Sequence, residues 1–389
     1  MEGSRLSSIA KQTACWFRWP ALFAALALVA LGVGGARQAV AATASSVAAN
    51  HSSAKQAADA SQEKGSVDHV IVHGSSLVGN LEGDSPDRDV YIYLPPSYRT
   101  DSARRYPVVY VLHGFTDSAS SWFGGKKGWI NLQQILDRDI SSGAAREMIV
   151  VMPNAYTRLE GSFYTHSVVT GDWENFVVHD LVNYIDSHYR TLANRDSRGL
   201  AGHSMGGYGT VRLGMTHPEI FSSFYAMSAC CLAPAPETAG LASLAASIDA
   251  VHTPQEFEAA SFGTRANMAI AAAFSPDPSN PPFYFDFPAT PAGVVRAPIA
   301  AKWAANQPVN FLDQNVQKLR SLRAIAFDVG TRDPLIVQSQ MLDAAMNVYK
   351  IPHTFETYDG THVSGIAMRL ETKVFPYFSR HLAFGEPEP

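Results

Sequence analysis

Cysteine is nearly absent from this sequence. It occurs three times in 389 residues, as Cys15, Cys230 and Cys231. Cys15 falls in a leader that is expected to be removed, so the mature chain keeps one adjacent pair. Neighbouring cysteines can close only a small strained ring. A disulfide framework is therefore excluded, and the pair reads as two small buried side chains. Basic charge is not in surplus either: 30 Lys and Arg face 35 Asp and Glu, for a formal charge of -5. With no Lys/Arg stripe, no nucleic-acid partner is expected. No H-E-x-x-H and no Cys/His cluster is present, so no metal is expected. Phosphate-cradling glycine motifs are missing too, and no cofactor is implied.

Long apolar runs are missing except for Ala21–Val33. Arg5, Lys11 and Arg18 precede that run, and small residues follow it to Ala39-Val40-Ala41. A positive start, an apolar middle and an A-x-A end predict a signal peptide over residues 1–41, cleaved after Ala41. The run is shorter than the roughly 20 apolar residues a bilayer span needs. An uncleaved membrane anchor is the alternative, and no cysteine follows the run to carry a lipid. The expected location is secreted or periplasmic, without stable membrane association. Residues 42–66, rich in Ala, Ser, Gln and Lys, read as a flexible spacer.

What remains, residues 67–385, has the makeup of an ordinary globular domain, the whole chain being 46% apolar and 17% charged. Val70–Val72 and Val90–Leu94 flank a Gly/Pro/Asp-rich turn, which predicts an antiparallel opening. Further strands are expected at Val108–Leu112, Met148–Met152, Gly199–Ala201, Phe221–Met227, Ala324–Phe327 and Thr354–Tyr358. Several are apolar without alternation, as strands covered on both faces are. An amphipathic helix is expected after Asp172, with Trp173, Phe176, Val177, Leu181, Tyr184 and Ile185 on one stripe. This alternation predicts an α/β fold, a mostly parallel sheet with helices on both faces. From about 232 to 309 no strand is evident. That stretch is either an insertion packed on the domain or a lid above the sheet's carboxyl edge.

Gly202-His203-Ser204-Met205-Gly206 matches G-x-S-x-G between a short strand and a helical segment, the setting that motif requires. Ser204 must stand on a tight turn, where Gly202 and Gly206 have no Cβ to collide with neighbouring backbone. A serine hydroxyl is a poor nucleophile until a base takes its proton. Of the thirteen histidines, His362 is best placed, in a turn after the last strand. The orienting acid is expected at Asp333, past the end of the preceding strand, with Asp328 and Asp359 as alternatives. The order Ser204, Asp333, His362 is that of α/β-hydrolases, not of the chymotrypsin-like or subtilisin-like proteases. Oxyanion donors are expected at the Met205 N–H and at the Phe115 N–H after Leu112-His113-Gly114.

Taken together, Tyr106–Phe115, Gly202–Gly209, Asp328–Asp333 and Asp359–His362 resemble the esterase D-like family of α/β-hydrolases. That family includes S-formylglutathione hydrolases, feruloyl, acetylxylan and enterochelin esterases, and mycolyltransferases. The resemblance covers about Val67 to Leu382. It implies a carboxylic-ester hydrolase with Ser204, Asp333 and His362 as triad, Phe115 and Met205 as oxyanion donors, and a small-molecule or polysaccharide-linked ester as substrate. Trp122 looks like the family's aromatic residue near the site, in a substrate-binding or a packing role. Acyl transfer to a sugar or other alcohol is the enzymatic alternative. A non-catalytic binding protein on the same scaffold is the third reading.

Overall fold

The computed structural model describes residues 64–125, 128–234 and 240–385. The expected signal peptide and nearly all of the expected spacer lie outside them. The first strand begins at Ser66, the last residue assigned to the spacer.

Ten strands are present among the described residues, eight of them in one sheet. In chain order those eight are β1 (Ser66–His73), β2 (Asp87–Leu94), β3 (Val108–Leu112), β4 (Ile149–Pro153), β7 (Arg198–His203), β8 (Ser223–Met227), β9 (Ala324–Gly330) and β10 (Thr354–Tyr358). Their spatial order is β1-β2-β4-β3-β7-β8-β9-β10. β2 pairs antiparallel with both β1 and β4, and every other neighbouring pair is parallel. The two remaining strands, β5 (His166–Ser167) and β6 (Gly171–Asp172), form a short separate hairpin that the sequence pattern did not suggest.

The unbroken apolar runs have the expected cause. In β3, Val108, Tyr110 and Leu112 enter one core, while Val109 and Val111 enter the core on the opposite face. Helices Met205–Thr216 and Ile336–Val348 contribute to the first core, and Leu132–Ser142 and Phe375–His381 to the second. The helical segment after Asp172 differs from a regular α-helix. Asp172 Oδ1 caps it by accepting from Asn175 N–H at 3.0 Å, but Phe176–Leu181 is a π-turn. The wider turn brings Val178 inside beside Phe176, Val177 and Leu181, so the buried stripe is broader than the spacing predicted.

The strand-free stretch holds helices Leu241–Asp249, Pro254–Ala259, Phe262–Phe274 and Ala297–Ala305. Several of its aromatic residues, among them Phe257, Phe274, Phe285 and Phe287, pack into the first core: Phe274 lies 5.4 Å from Tyr208 and 5.9 Å from Trp303, ring centre to ring centre. Cys230 and Cys231 are free, half-buried thiols.

Candidate active site

The G-x-S-x-G turn is held by close backbone approach. A Cβ on Gly202 would stand 2.2 Å from the Gly206 carbonyl oxygen, and one on Gly206 would stand 2.0 Å from that of Leu112. Only glycine fits at either position. Between them Ser204 adopts φ 57° and ψ -115°, a strained conformation for any residue with a side chain. Its N–H donates to the Met227 carbonyl (3.0 Å), and its carbonyl accepts from Cys230 N–H (3.2 Å). These bonds tie the turn to the end of β8. The helix that starts at Met205 directs its first free N–H groups toward the same place.

The loops after β9 and β10 are joined to each other. Thr331 N–H donates to the Tyr358 carbonyl (2.8 Å) and Arg332 N–H to the Gly360 carbonyl (2.9 Å). A side chain on Gly330 would collide with Gly360, 2.4 Å from its oxygen. This joint sets Asp333 beside His362. His362 Nδ1–H donates to Asp333 Oδ2 at 2.9 Å, and the Ser204 hydroxyl donates to His362 Nε2 at 2.9 Å. Residues 204, 333 and 362 thus meet in one hydrogen-bonded line. The Asp333 carboxylate is wholly buried. Burial favours its neutral form, yet hydrogen bonds from His362 and the Leu335 N–H outweigh that and hold the carboxyl below its usual range.

The other two acids are engaged elsewhere. Asp328 is buried and accepts from Arg369 Nε and the Tyr225 hydroxyl, each at 2.7 Å. Asp359 points into solvent and pairs with Arg332. Among the described residues, the carboxylate that meets His362 is that of Asp333. Gly114 lies against Ser204: a Cβ there would be 3.4 Å from the serine Cβ. This brings the Phe115 loop to the Ser204 turn. Among the described hydrogen bonds, neither the Phe115 nor the Met205 N–H has a partner.

Trp122 calls for a correction. Its ring has no exposed surface, and its Nε1–H donates to Asp117 at 3.2 Å. A fully enclosed ring cannot line an open pocket, so packing is the role its surroundings support. Trp129 does have an exposed face, and its ring edges onto Trp122 at 5.8 Å and His203 at 6.1 Å.

The sequence placed His203 only beside the site. In the structure it is buried, and its Nε2–H donates to the His362 carbonyl at 2.8 Å. Burial, followed by the adjacent His362 ring, pushes its pKa down to about 3, so it stays neutral. A neutral His203 fixes the backbone of the His362 turn without adding charge beside the imidazole. Adjacency to Ser204 was the only available signal, since the bond spans a sequence gap that only the fold closes. His203→Phe, which keeps the ring and loses the donor, is expected to lower kcat about ten- to a hundredfold with KM little changed. His203→Gln, which can still donate, is expected to recover part of that loss. Steady-state kinetics of both variants on one chromogenic ester checks this, and equal kcat values would show that the bond is idle.

An eight-stranded sheet with a lone antiparallel β2, and a serine on a strained strand-to-helix turn facing a histidine and a buried aspartate, define an α/β-hydrolase. Within that class, the chain belongs to the Esterase family, whose model matches residues 85–365. Among curated proteins it is similar to an esterase of Mycobacterium tuberculosis, 34% identical over 140 residues. It is also 33% identical over 135 residues to the endo-1,4-beta-xylanase/feruloyl esterase of Xylanibacter ruminicola. These matches cover 34% and 33% of this chain but only 27% and 18% of those longer relatives. Among solved structures, a ferulic acid esterase superposes with a TM-score of 0.58 at 23% identity, covering 82% of this chain and 99% of that one. A fluorophosphonate-binding serine hydrolase of Staphylococcus aureus superposes at 0.55 and 15% identity, covering 81% and 99%. At such identities these likenesses speak for the fold.

Proposed function

We propose that this protein is a serine carboxylic-ester hydrolase that works through an acyl-enzyme on Ser204. The observation that carries the reading is the pair of 2.9 Å hydrogen bonds linking Ser204 Oγ, His362 and Asp333. His362 Nε2 takes the hydroxyl proton as Oγ attacks the ester carbonyl carbon. The oxyanion that forms is met by the Phe115 and Met205 N–H groups, each such donor contributing about 3–4 kcal/mol. His362 Nε2–H then protonates the departing alcohol oxygen, and the C–O bond breaks. Water, deprotonated by the same nitrogen, attacks the acyl carbon, the bond from that carbon to Oγ breaks, and His362 Nε2–H returns the proton to Oγ as the acid leaves. Asp333 keeps the proton on Nδ1 throughout, so Nε2 is always the nitrogen that faces the serine.

Membership of the Esterase family supports the reaction class. The feruloyl activity in the name of the Xylanibacter relative makes aromatic acyl groups the first to try. The N-terminal leader read from the sequence favours an exported enzyme acting on an extracellular or periplasmic ester. A panel of chromogenic acetyl, butyryl, octanoyl and feruloyl esters tests the reading. Release of acid matching release of alcohol, unaffected by added sugar or short alcohol, is the expected result. Acyl product that appears only when an acceptor alcohol is supplied would replace hydrolysis with transfer.

A further inference from the structure

In ester hydrolysis the departing alcohol takes its proton from His362 Nε2–H, so the alcohol oxygen must lie within hydrogen-bond reach of the imidazole. The carbonyl oxygen is the one that Phe115 and Met205 receive. The alcohol half of the ester therefore extends from the histidine side of Ser204, and the side chains standing there select among alcohols.

Two rings stand on that side. The buried His203 lies 4.9 Å from His362, ring centre to ring centre. Trp129 follows, 6.1 Å from His203 with 65° between the planes. Its indole also meets the enclosed Trp122 at 5.8 Å and 76°. Edge-to-face contacts with two neighbours give the ring one direction. The loop that carries it is closed at its neck: the Gly124 N–H donates to the Ile130 carbonyl at 3.1 Å, and Phe123 bridges to Asn131. Trp129 is nonetheless exposed, as is Val363, the residue after His362. A second exposed ring, Phe262, edges onto Phe115 at 5.6 Å and so belongs to the oxyanion side.

A tryptophan that is held in place yet left uncovered supplies a large rigid contact area, and little entropy is lost when a ligand covers it. An indole face stacks on a flat surface of C–H or π character. Aryl alcohols and sugars both present such a surface, and a short alkyl alcohol does not. We infer that Trp129 is the platform for the alcohol half of the substrate and selects alcohols that carry a ring. The assignment rests on the esterase reading and goes beyond it by naming the alcohol.

Rates of acid release by the full chain from methyl acetate, phenyl acetate and a monoacetylated methyl β-xyloside test this, because the three esters share one acyl group. Trp129→Leu keeps an apolar side chain against Trp122 and loses the flat face. It is expected to lower the ratio of kcat/KM on a ring ester to that on methyl acetate about tenfold relative to wild type. The ring ester that responds, phenyl or xyloside, tells an aryl alcohol from a sugar. Trp129→Phe restores a smaller flat face and is expected to recover part of the ratio, and the test stands on this variant if Trp129→Leu does not fold. A disturbance passed through Trp122 or His203 to the imidazole would slow all three esters alike and leave the ratio where it was. An unmoved ratio in Trp129→Leu, no recovery in Trp129→Phe, or a ratio that falls in Phe262→Ala instead overturns the inference. Turnover with an unmoved ratio sinks this inference alone, whereas a wild type that turns over none of the three esters sinks the esterase reading and this inference with it.

Discussion

Ser204→Ala is expected to lower kcat/KM on a chromogenic ester by about 10³-fold or more, equivalent to about 4 kcal/mol of lost transition-state stabilisation. Among the described residues, the side chain removed is the only one in hydrogen-bond contact with His362 Nε2 (2.9 Å), so none of them offers a neighbouring hydroxyl to replace it. The oxyanion donors are backbone groups and survive the change, which is why a residual rate above that of water is expected. Ser204→Gly separates chemistry from folding. At φ 57° and ψ -115° a side chain is strained, and glycine is not. Glycine is therefore expected to abolish turnover while raising stability by about 1 kcal/mol, measured as a higher urea midpoint at unchanged slope. Wild-type turnover in Ser204→Ala would remove the nucleophile assignment, and a destabilised Ser204→Gly would remove the claim of strain.

Much of this architecture was legible because its causes are local. The doubly covered strands declare themselves as unalternating apolar runs, and the elbow declares itself because Gly202 and Gly206 are forced by backbone contacts of 2.2 and 2.0 Å. The choice of acid was less legible. Asp328, Asp333 and Asp359 all flank strand ends, and only the joining of the Thr331–Arg332 backbone to Tyr358 and Gly360 puts Asp333 under the imidazole. His203 and Trp122 were beyond sequence reasoning for the same reason. Each looks like a polar or aromatic neighbour of the site until the fold shows which atoms it touches. The π-turn at Phe176–Leu181 was hidden because a helical stripe looks alike whether a turn carries one residue more or not.

Asp333→Asn is expected to lower kcat by about 10⁴-fold with KM little changed, as the same change does in the geometrically equivalent triad of chymotrypsin-like proteases. The reason lies in two bonds. Asp333 Oδ1 accepts from the Leu335 N–H at 2.9 Å, and Oδ2 accepts from His362 Nδ1–H. An asparagine must keep its oxygen toward Leu335, because an amide nitrogen cannot accept there. Its NH₂ then faces His362 and donates to Nδ1, which moves the imidazole proton to Nε2. An Nε2 that carries a proton cannot take one from Ser204. Acid titration of stability supplies an independent check. Since the folded protein holds the Asp333 carboxyl below its unfolded value of about 3.9, its contribution is present above that pH and fades as pH falls through the folded value. The stability gap between wild type and Asp333→Asn is therefore expected to narrow on acidification. Asp328→Asn gives the contrasting result. It leaves Arg369 short of a buried partner and is expected to cost about 3–5 kcal/mol of stability. Its folded fraction should keep a near wild-type kcat, because no bond to His362 is touched. If Asp328→Asn instead removed kcat while Asp333→Asn kept it, the acid of the triad would have to be reassigned.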